Sequence, residues 1–534
     1  MNKNKKKIVI GLLSLVVLFL IGVIGTQIWL THKVRFLITN EIIKDKNYRV
    51  DIGYIDVGFW SKSLKIENIR IEPDEQIQKQ DSLFDFFKIH LERFFVKGFQ
   101  LKSFLQDGEL IFDEVLFDSP DVVVSHYAGG AKKRVYYGSE GLERIKRIKA
   151  GAFVVKNANV EHHERKGEVV TSYLLQSFEG RVEQIDINLS GEDKEQPLSS
   201  KNIHFFAGRF SYQDADRAML FQADTVIMDK AEGRLSVKSL HLLPQYSKQQ
   251  FATIAGYDWI KIVTEGINCI GVDYESLFWE NMLKMDSVVL QNVEIDSYKD
   301  RNITLPARKK PLFYLSLQHF PMKVYIPDIS VRNLSAVYEE LPEGKNRAGI
   351  VTINELFVGF SGLTNMLSAG RSYYELTAKG LLMDQGELQV SFRFPVDSSD
   401  TRFYAEGILG AMPLTAFNKV TEPLADLAIN TGAIKSLRFH LEGDAISSSV
   451  NMQFLYNDLS VTLLKDNDGV NKERKIVSSI INTLLVRPDN PGKNGLRSVS
   501  ATAERDIFKS QFNYLWKSLL PGIKKTVIVA SKKR

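Results

Sequence analysis

"LKIENIRI", residues 64–71, has an apolar spacing that recurs along the chain and limits the folds the sequence can adopt. Leu64 and Ile66 are two positions apart, two polar residues follow, and Ile69 and Ile71 close the octet. The same spacing returns in the following stretches: "LIFDEVLF" (110–117), "FVVKNANV" (153–160), "LSVKSLHL" (235–242), "VVLQNVEI" (288–295) and "VTINELFV" (351–358), and most of it in "ISVRNL" (329–334).

The three-residue step inside the octet conflicts with a regular strand. Side chains of a strand alternate between two faces, so this step would turn the last two apolar residues to the wrong face. Either of two features of the backbone would return these two residues to the same face as the first two. One is a β-bulge that absorbs one residue, and the other is a sharp bend between two short strands. We therefore predict that each octet is one strand of a sheet that twists at the same place. The copies are unevenly spaced, which argues against a short-period solenoid.

Strict alternation of apolar and polar residues dominates the last third of the chain, in "ELQVSFRF" (387–394), "SLRFHLEG" (436–443) and "VNMQFLY" (450–456). Such strands have one apolar and one solvated face, as is usual in antiparallel sheets. The sequence thus predicts a mainly β fold. The candidate ligand-lining residues are the apolar set of these strands: Leu388, Val390, Phe392, Phe394, Leu437, Phe439, Leu441, Val450, Met452 and Phe454.

A few helices are predicted between the strands. Apolar residues near helical spacing predict a short helix over 32–47 and an amphipathic helix over 473–486. The stretch 413–432 suits a helix pair that is broken at Pro423, and 501–522 suits a helix that Pro521 stops.

The first 30 residues predict a membrane anchor. Four lysines between Lys3 and Lys7 precede an uncharged run from Ile8 to Leu30. As a helix this run is about 34 Å long, enough to span a bilayer core of ~30 Å. A cleavable signal peptide is the alternative, but its apolar core is usually shorter and "GVIGTQ" (22–27) is a poor cleavage site. The lysines should stay in the cytoplasm, so the bulk of the chain should lie across the membrane.

The remaining composition excludes several classes of protein. The net charge is only +5 and the basic residues form no stripe, which argues against a nucleic-acid partner. Cys269 is the one cysteine, so no intrachain disulfide can form. "HHE" (162–164) would place neighbouring strand residues on opposite faces, which is poor geometry for a metal. With no nucleotide, metal or nucleophile motif in the sequence, we expect no cofactor, no metal and no enzymatic activity.

Two longer stretches of similar sequence support an internal repeat. "VKGFQLKSFLQDGELIFDEVLFDSPDVVV" (96–124) is similar to "VTEGINCIGVDYESLFWENMLKMDSVVLQNVEID" (263–296). Each has a glycine after a strand-like start, a short turn with serine and leucine, and then the octet. We interpret the pair as an old duplication with insertions.

At this level the chain resembles the AsmA-like family of membrane-anchored envelope proteins of Gram-negative bacteria, within the wider group of repeating β-groove, bridge-like lipid-transfer proteins. The resemblance rests on three stretches: the anchor and short helix followed by 48–71, the unit 108–124, and the C-terminal module 404–464. The segment 165–285 is similar to the family only in its general strand pattern.

The resemblance implies an elongated, twisted, taco-like antiparallel β-groove with an apolar concave side. It implies a single-pass inner-membrane protein, held through residues 8–30, with its bulk in the periplasm and phospholipid as its partner. The implied role is to shield or conduct phospholipid in support of outer-membrane homeostasis. Outer-membrane or other envelope proteins are further expected partners, and a non-enzymatic assembly factor for outer-membrane proteins is the alternative function. The expected divisions are 1–31 (cytoplasmic start and anchor), 32–403 (repeating β region) and 404–534 (C-terminal module with terminal helices).

The residues alone leave the groove and a closed sandwich equally open, because the same apolar faces could pack against each other.

Overall fold

The structure is a computed structural model of the 534-residue chain. It describes the following residues: 25, 28–29, 31–32, 48–58, 60–74, 86–127, 145–166, 169–189, 198–214, 216–367, 372–397, 399–464 and 486–529. The predicted helices over 32–47 and 473–486 lie outside these residues almost entirely, as does the anchor over 8–30. Within the described ranges, no helix is both long enough and apolar enough to cross a membrane.

Strands make up most of the described chain. They are β1 (Tyr48–Gly58), β2 (Ser63–Pro73), β3 (Phe86–Lys97), β4 (Glu109–Tyr127), β5 (Arg147–Lys166), β6 (Val169–Asn188), β7 (Leu198–Ser199), β8 (Asn202–Gln213), β9 (Met219–Asp229), β10 (Arg234–Pro244), β11 (Trp259–Ile270), β12 (Met282–Lys284), β13 (Ser287–Asp300), β14 (Lys323–Leu341), β15 (Gly349–Thr364), β16 (Tyr373–Leu382), β17 (Gly386–Pro395), β18 (Phe403–Leu409), β19 (Met412–Pro413), β20 (Leu427–Gly443), β21 (Ser447–Leu463) and β22 (Ser498–Glu504).

The described helices are short apart from the last. They are α1 (Leu101–Asp107), α2 (Lys248–Ala255), α3 (Tyr274–Trp279), α4 (Phe313–Gln318), α5 (Asn418–Ala425) and α6 (Gln511–Val527), with a 3₁₀ turn over Leu414–Phe417. The predicted class, mainly β with a few α-helices, is confirmed.

The chain divides into two compact units. The first contains residues up to Ala215 together with Asp224–Ala231, and the second contains Asp216–Ala223 and everything from Glu232 onward. Strand β9 therefore contributes to both units. The expected domain boundary at 403/404 stays a prediction.

In the first unit the strands pair in chain order from β1 to β6, and β6 then pairs with both β7 and β8. All of these pairs are antiparallel except β4–β5, which is parallel.

In the second unit the hydrogen-bonded order is β10, β11, β13, β14, β15, β16, β17, β18, β20, β21, β22. The short β12 pairs with β14 and the short β19 with β20. Pairing is antiparallel except at β12–β14 and β13–β14. The antiparallel pattern thus dominates both units, as predicted. The alternation of residues could not reveal the parallel pairing, which occurs once in the first unit and twice in the second.

The parallel pairs support the predicted duplication. In the first unit, β3 leads through α1 to an antiparallel β4, and β5 then lies parallel to β4. In the second unit, β11 leads through α3 and β12 to an antiparallel β13, and β14 then lies parallel to β13. The two stretches that are similar in sequence therefore have the same order of elements and the same pairing senses.

The octet contains a single left-handed residue. Its second polar position has a positive φ in the following five copies: Asn68 (53°), Asn157 (47°), Asn292 (49°), Asn333 (59°) and Glu355 (51°). Four of the five are asparagine, whose short polar side chain tolerates this conformation better than most. In the octets 110–117 and 235–242 the corresponding φ is not positive. In β4 the left-handed residue is Ser119, two positions after the end of the octet.

Both predicted features of the backbone occur at this position. Between β1, β2 and β3 the register is unchanged on the two sides of Asn68, so the strand bends there without an inserted residue. Between β5 and β6, and between β14 and β15, the register shifts as at a bulge. Ile66 and Ile69, which flank the bend, both pack with Ile55 in one apolar cluster. The bend therefore keeps the two halves of the octet on the same side of the sheet.

Two helix predictions were wrong in part. Residues from Leu427 onward begin β20, because the chain turns at Asp426 in a left-handed conformation and Asn418 bonds both backbone groups of Ile429. Residues Ser498–Glu504 form β22 on the edge of β21. Pro521 lies inside α6 and does not stop it. In each case pairing or packing with distant residues outweighed the local helical pattern.

Candidate functional site

Apolar side chains cover one side of the sheet in the first unit. The strand register places them in continuous rows across β2, β3, β4, β5, β6 and β8, and we call this surface the apolar face. One row is Ile66, Phe94, Phe117, Val155, Gly180 and Phe205, and another, beyond the bend, is Ile71, Ile89, Val122, Val160, Leu175 and Phe210.

Aromatic rings of the apolar face contact one another along the rows. The ring centroids of Phe94 and Phe117 are 5.0 Å apart, and those of Phe117 and Phe153 are 5.2 Å apart. Phe178 of β6 and Phe205 of β8, on the same side of the bend, are 5.4 Å apart. These distances are typical of favourable aromatic pairs, so the side chains of neighbouring strands pack sideways against each other.

The larger side chains of this face remain half-buried. Phe94, Phe117, Leu175, Phe178 and Phe205 all keep part of their surface accessible. In the described part of this unit, α1 is the one helix beside the sheet, and it lies at the start of β4, where Phe99 stacks on Phe112 at 5.6 Å. Lateral packing therefore accounts for the partial burial, and the rows on both sides of the bend have no described helix over them.

The opposite side of the same sheet carries charged pairs. Arg147 donates two hydrogen bonds of 2.6 Å to the carboxylate of Asp186, and the contact of Arg209 with Asp224 is also 2.6 Å. The hydrogen bond from Arg147 lowers the pKa of Asp186 below its ordinary value, against an opposing effect of burial. This opposite side also contains a small buried apolar cluster of Leu116, Ala152 and Val154, against which Phe95 packs. We call this side the charged face, after the ion pairs that the described residues of the apolar face lack.

The ten candidate lining residues lie in the second unit, on one face of strands β17, β20 and β21, as the alternation predicted. Seven of them are no more than 8% exposed: Phe394, Leu437, Phe439, Leu441, Val450, Met452 and Phe454. Leu388, Val390 and Phe392 are half-buried. The seven are packed against protein rather than open to a ligand.

Helices α4 and α6 cover this part of the second unit. Tyr314 of α4 stacks on Phe394 at 5.9 Å, and Tyr514 of α6 meets Phe403 at 6.1 Å. Ser518 of α6 and Ser448 of β21 form a buried hydrogen bond of 2.7 Å. The face that sequence alternation selected is therefore the core under two helices. The apolar face of the first unit carries the octet pattern (64–71 and 153–160), which was the available signal for it.

A shallow depression of about 1050 Å³ lies over strands β14 to β22 of the second unit. Its wall includes the exposed side chains Phe357 and Ile408, together with Arg438 and His440, and His440 contacts Glu406 at 3.2 Å. It lies opposite the helix-covered core, because the core residues alternate with these exposed ones along each strand.

The histidines of "HHE" lie on opposite faces of β5. The His162 ring contacts Tyr173 on the apolar face, at 5.6 Å. The His163 ring contacts Glu161 at 3.0 Å and Ser172 at 3.1 Å on the other side. In the described ranges, no group of three or more His, Cys, Asp or Glu side chains is placed to hold a metal ion. Cys269 is buried, which raises the pKa of its thiol.

No protein-family model matches the chain, and no curated protein is similar enough to match it.

Proposed function

We propose that this protein shields or conducts phospholipid, with the acyl chains lying on the apolar face of the first unit. In this proposal it is a single-pass protein of the inner membrane, held through residues 8–30, with its bulk in the periplasm, and it supports outer-membrane homeostasis without enzymatic activity. The apolar face supports the acyl-chain part. The resemblance to the AsmA-like family is the argument for phospholipid as the ligand and for the bacterial envelope as the compartment.

The energetic case rests on the size of the exposed hydrocarbon. A two-chain lipid has roughly 30 methylenes, and at ~0.8 kcal/mol each their exposure to water costs about 25 kcal/mol. A carrier must remove most of this cost. An apolar surface several strands wide does so, and ordinary soluble domains rarely expose contiguous apolar patches beyond a few hundred Å².

One observation carries the proposal: large apolar side chains on both sides of the bend, among them Phe178 and Leu175, are only half-buried. In the second unit α4 and α6 pack on the corresponding surface, and seven of its ten candidate lining residues are buried. The first unit is therefore where an acyl chain would find an uncovered apolar surface among the described residues.

Site-specific photo-crosslinking tests the proposal in the full-length chain, expressed in a Gram-negative host. A photoreactive phenylalanine analogue replaces Leu175, which lies on the apolar face beside Val160 and Phe210. The matched control carries it at Leu174, the next residue of β6, which pairs with Glu161 and Ser211 on the charged face. We expect phospholipid adducts, identified by mass spectrometry, at position 175 and several-fold fewer at position 174.

Equal yields at the two positions, or no lipid adduct at either, would count against lipid binding on this face. Protein adducts at position 175 in place of lipid would instead favour the assembly-factor alternative, in which a polypeptide is the ligand. Native mass spectrometry of residues 34–534, compared with a soluble control of the same expression route, supplies an independent measure of copurifying phospholipid.

A further inference from the structure

Helix α6 packs on the second unit through a narrow stripe of mostly small residues. Tyr514, Ser518, Gly522 and Thr526 recur every four positions and are all buried. At Gly522 an added Cβ would lie 3.2 Å from the Met452 side chain, so the helix backbone closely approaches β21. The hydroxyl groups of Ser518 and Thr526 donate to carbonyl groups four residues earlier in the helix, so they are satisfied within the stripe.

The outward side of α6 carries large aromatic side chains as well as lysines, whereas the outward side of an ordinary surface helix is polar. The ring of Phe512 also contacts Tyr338, with 6.1 Å between the centroids. Phe512 and Trp516, one turn apart, are 51% and 46% exposed. Ile507 and Phe508, just before the helix, are also exposed. Exposed apolar patches of this kind are rare on monomeric soluble proteins and usually mark an interaction site.

The charge of the helix has one sign. The sequence Gln511–Val527 contains no aspartate or glutamate, and it includes Lys517, Lys524 and Lys525. Lys509 precedes the helix. The last two lysines also suit the helix C-terminus, where cations are favoured, and Lys525 donates to the carbonyl oxygen of Ser500. The helix dipole does not account for Lys509 and Lys517, which lie before the last turn.

From these observations we propose that the outward side of α6, together with residues 507–509, docks on the surface of an anionic phospholipid bilayer. Tryptophan and phenylalanine next to lysines are the combination that helices lying in a membrane interface use, since the rings enter the headgroup region while the ammonium groups meet lipid phosphates. This contact is separate from the predicted anchor at 8–30. It does not depend on whether the apolar face of the first unit binds acyl chains.

A trans-docking assay tests the proposal with the full-length chain in phosphatidylcholine nanodiscs. The nanodiscs are mixed with vesicles of phosphatidylcholine, with or without phosphatidylglycerol, and flotation measures how much protein moves with the vesicles. We expect docking that requires phosphatidylglycerol. It should fall about tenfold or more in Phe512→Ser/Trp516→Ser, and about fivefold for each lysine replaced in Lys517→Gln and Lys524→Gln.

The matched control is Ile446→Ser, which removes an apolar side chain of the same unit that is 74% exposed and leaves α6 intact. It should dock like the wild type. The conservative variant Trp516→Phe should retain docking while it loses the part of the tryptophan quenching by brominated phospholipid that Trp516 contributes. This second readout distinguishes membrane contact from a folding defect.

Three results would overturn the proposal. One is wild-type docking by Phe512→Ser/Trp516→Ser, and another is equal docking to vesicles with and without phosphatidylglycerol. The third is a wild-type chain that self-associates in sedimentation experiments and an α6 variant that does not, because a second copy would then be the partner of this surface.

Discussion

Asn333 donates a hydrogen bond of 2.8 Å from its Nδ2 to Oδ1 of Asn292, and both residues have a positive φ. They occupy the same register of the parallel strands β13 and β14, since Gln291 pairs with Arg332 and Val293 pairs with Leu334. The side-chain bond therefore links the bend of one strand to the bend of the next. In the first unit Asn157 and Ser119 have the corresponding positions on the parallel pair β4–β5, with 3.5 Å between their polar atoms.

The left-handed conformation of Asn333 predicts that some substitutions at this position destabilise the chain more than others. Asn333→Val should lower the free energy of unfolding by about 1–2 kcal/mol or more, because a β-branched residue is strained at positive φ. Asn333→Gly should cost less, since glycine adopts this φ freely and only the exposed side-chain bond is lost. Urea unfolding followed by circular dichroism measures both. A valine variant as stable as the glycine variant would show that the bend is not held by this residue.

The two apolar surfaces should respond differently to a charge. Phe454 is 3% exposed, so Phe454→Asp would bury a carboxylate without a partner and should cost 3 kcal/mol or more, by the usual cost of an unpaired buried charge, about 3–5 kcal/mol. Leu175→Asp lies on the half-buried apolar face and should cost roughly 1–2 kcal/mol. Under the proposed function it should also lower the amount of phospholipid that copurifies with the chain in native mass spectrometry. Expression level and urea midpoint compare the two, with Leu174→Asp as the control. Equal losses of stability in Phe454→Asp and Leu175→Asp would mean that the apolar face is as closely covered as the core.

The close contact of α6 with β21 predicts the effect of side chains at Gly522. Alanine gains about 1 kcal/mol of helix propensity but must fit a Cβ 3.2 Å from Met452, so Gly522→Ala should be nearly neutral. Gly522→Leu should cost about 1–3 kcal/mol by overpacking. If contact with Met452 is the cause, Met452→Ala should reduce the cost of the leucine in a double-mutant cycle. If the costs of Gly522→Leu and Met452→Ala simply add, the leucine is not strained by contact with Met452.

The Arg147–Asp186 pair predicts a dependence of stability on acid pH. The pKa of Asp186 is lowered in the folded chain from an ordinary value of 3.8, chiefly by the hydrogen bond from Arg147. The stabilisation is therefore present above pH 3.8 and is lost as the pH falls through the lower, folded value. Both side chains are partly exposed, so Asp186→Asn should cost below ~1 kcal/mol at neutral pH.

Comparing Asp186→Asn with the wild type at acid pH tests the direction of this pH dependence. The difference between Asp186→Asn and the wild type should disappear once the pH is below the folded pKa, in urea unfolding at several pH values. Glu183→Gln, which removes a more exposed partner of Arg181, is the control and should show a smaller effect throughout. A difference that grows on acidification would contradict the assignment.

Local patterns in the sequence indicated most of the strands and, in five of the seven octets, the position of the left-handed residue at which the strand bends. Alternation and the octet are properties of consecutive residues, and a left-handed asparagine such as Asn68 adopts its φ with little steric help from distant residues. The predicted β class and the shared side of Ile66 and Ile69 follow from these patterns. The same patterns cannot indicate whether two adjacent strands run parallel, because a parallel strand presents its side chains with the same period.

Tertiary structure decided which apolar face is covered. Phe454 and Leu175 both lie on an apolar strand face, yet α6 and its neighbours bury one while the other stays half-buried. The cover comes from residues more than 50 positions away in the chain, such as Ser518 against Ser448. Pairing with β21 likewise turned Ser498–Glu504 into a strand. Burial depends on contacts between distant segments. The sequence could therefore propose apolar surfaces, but only the folded chain could show which of them, among the described residues, is left half-buried.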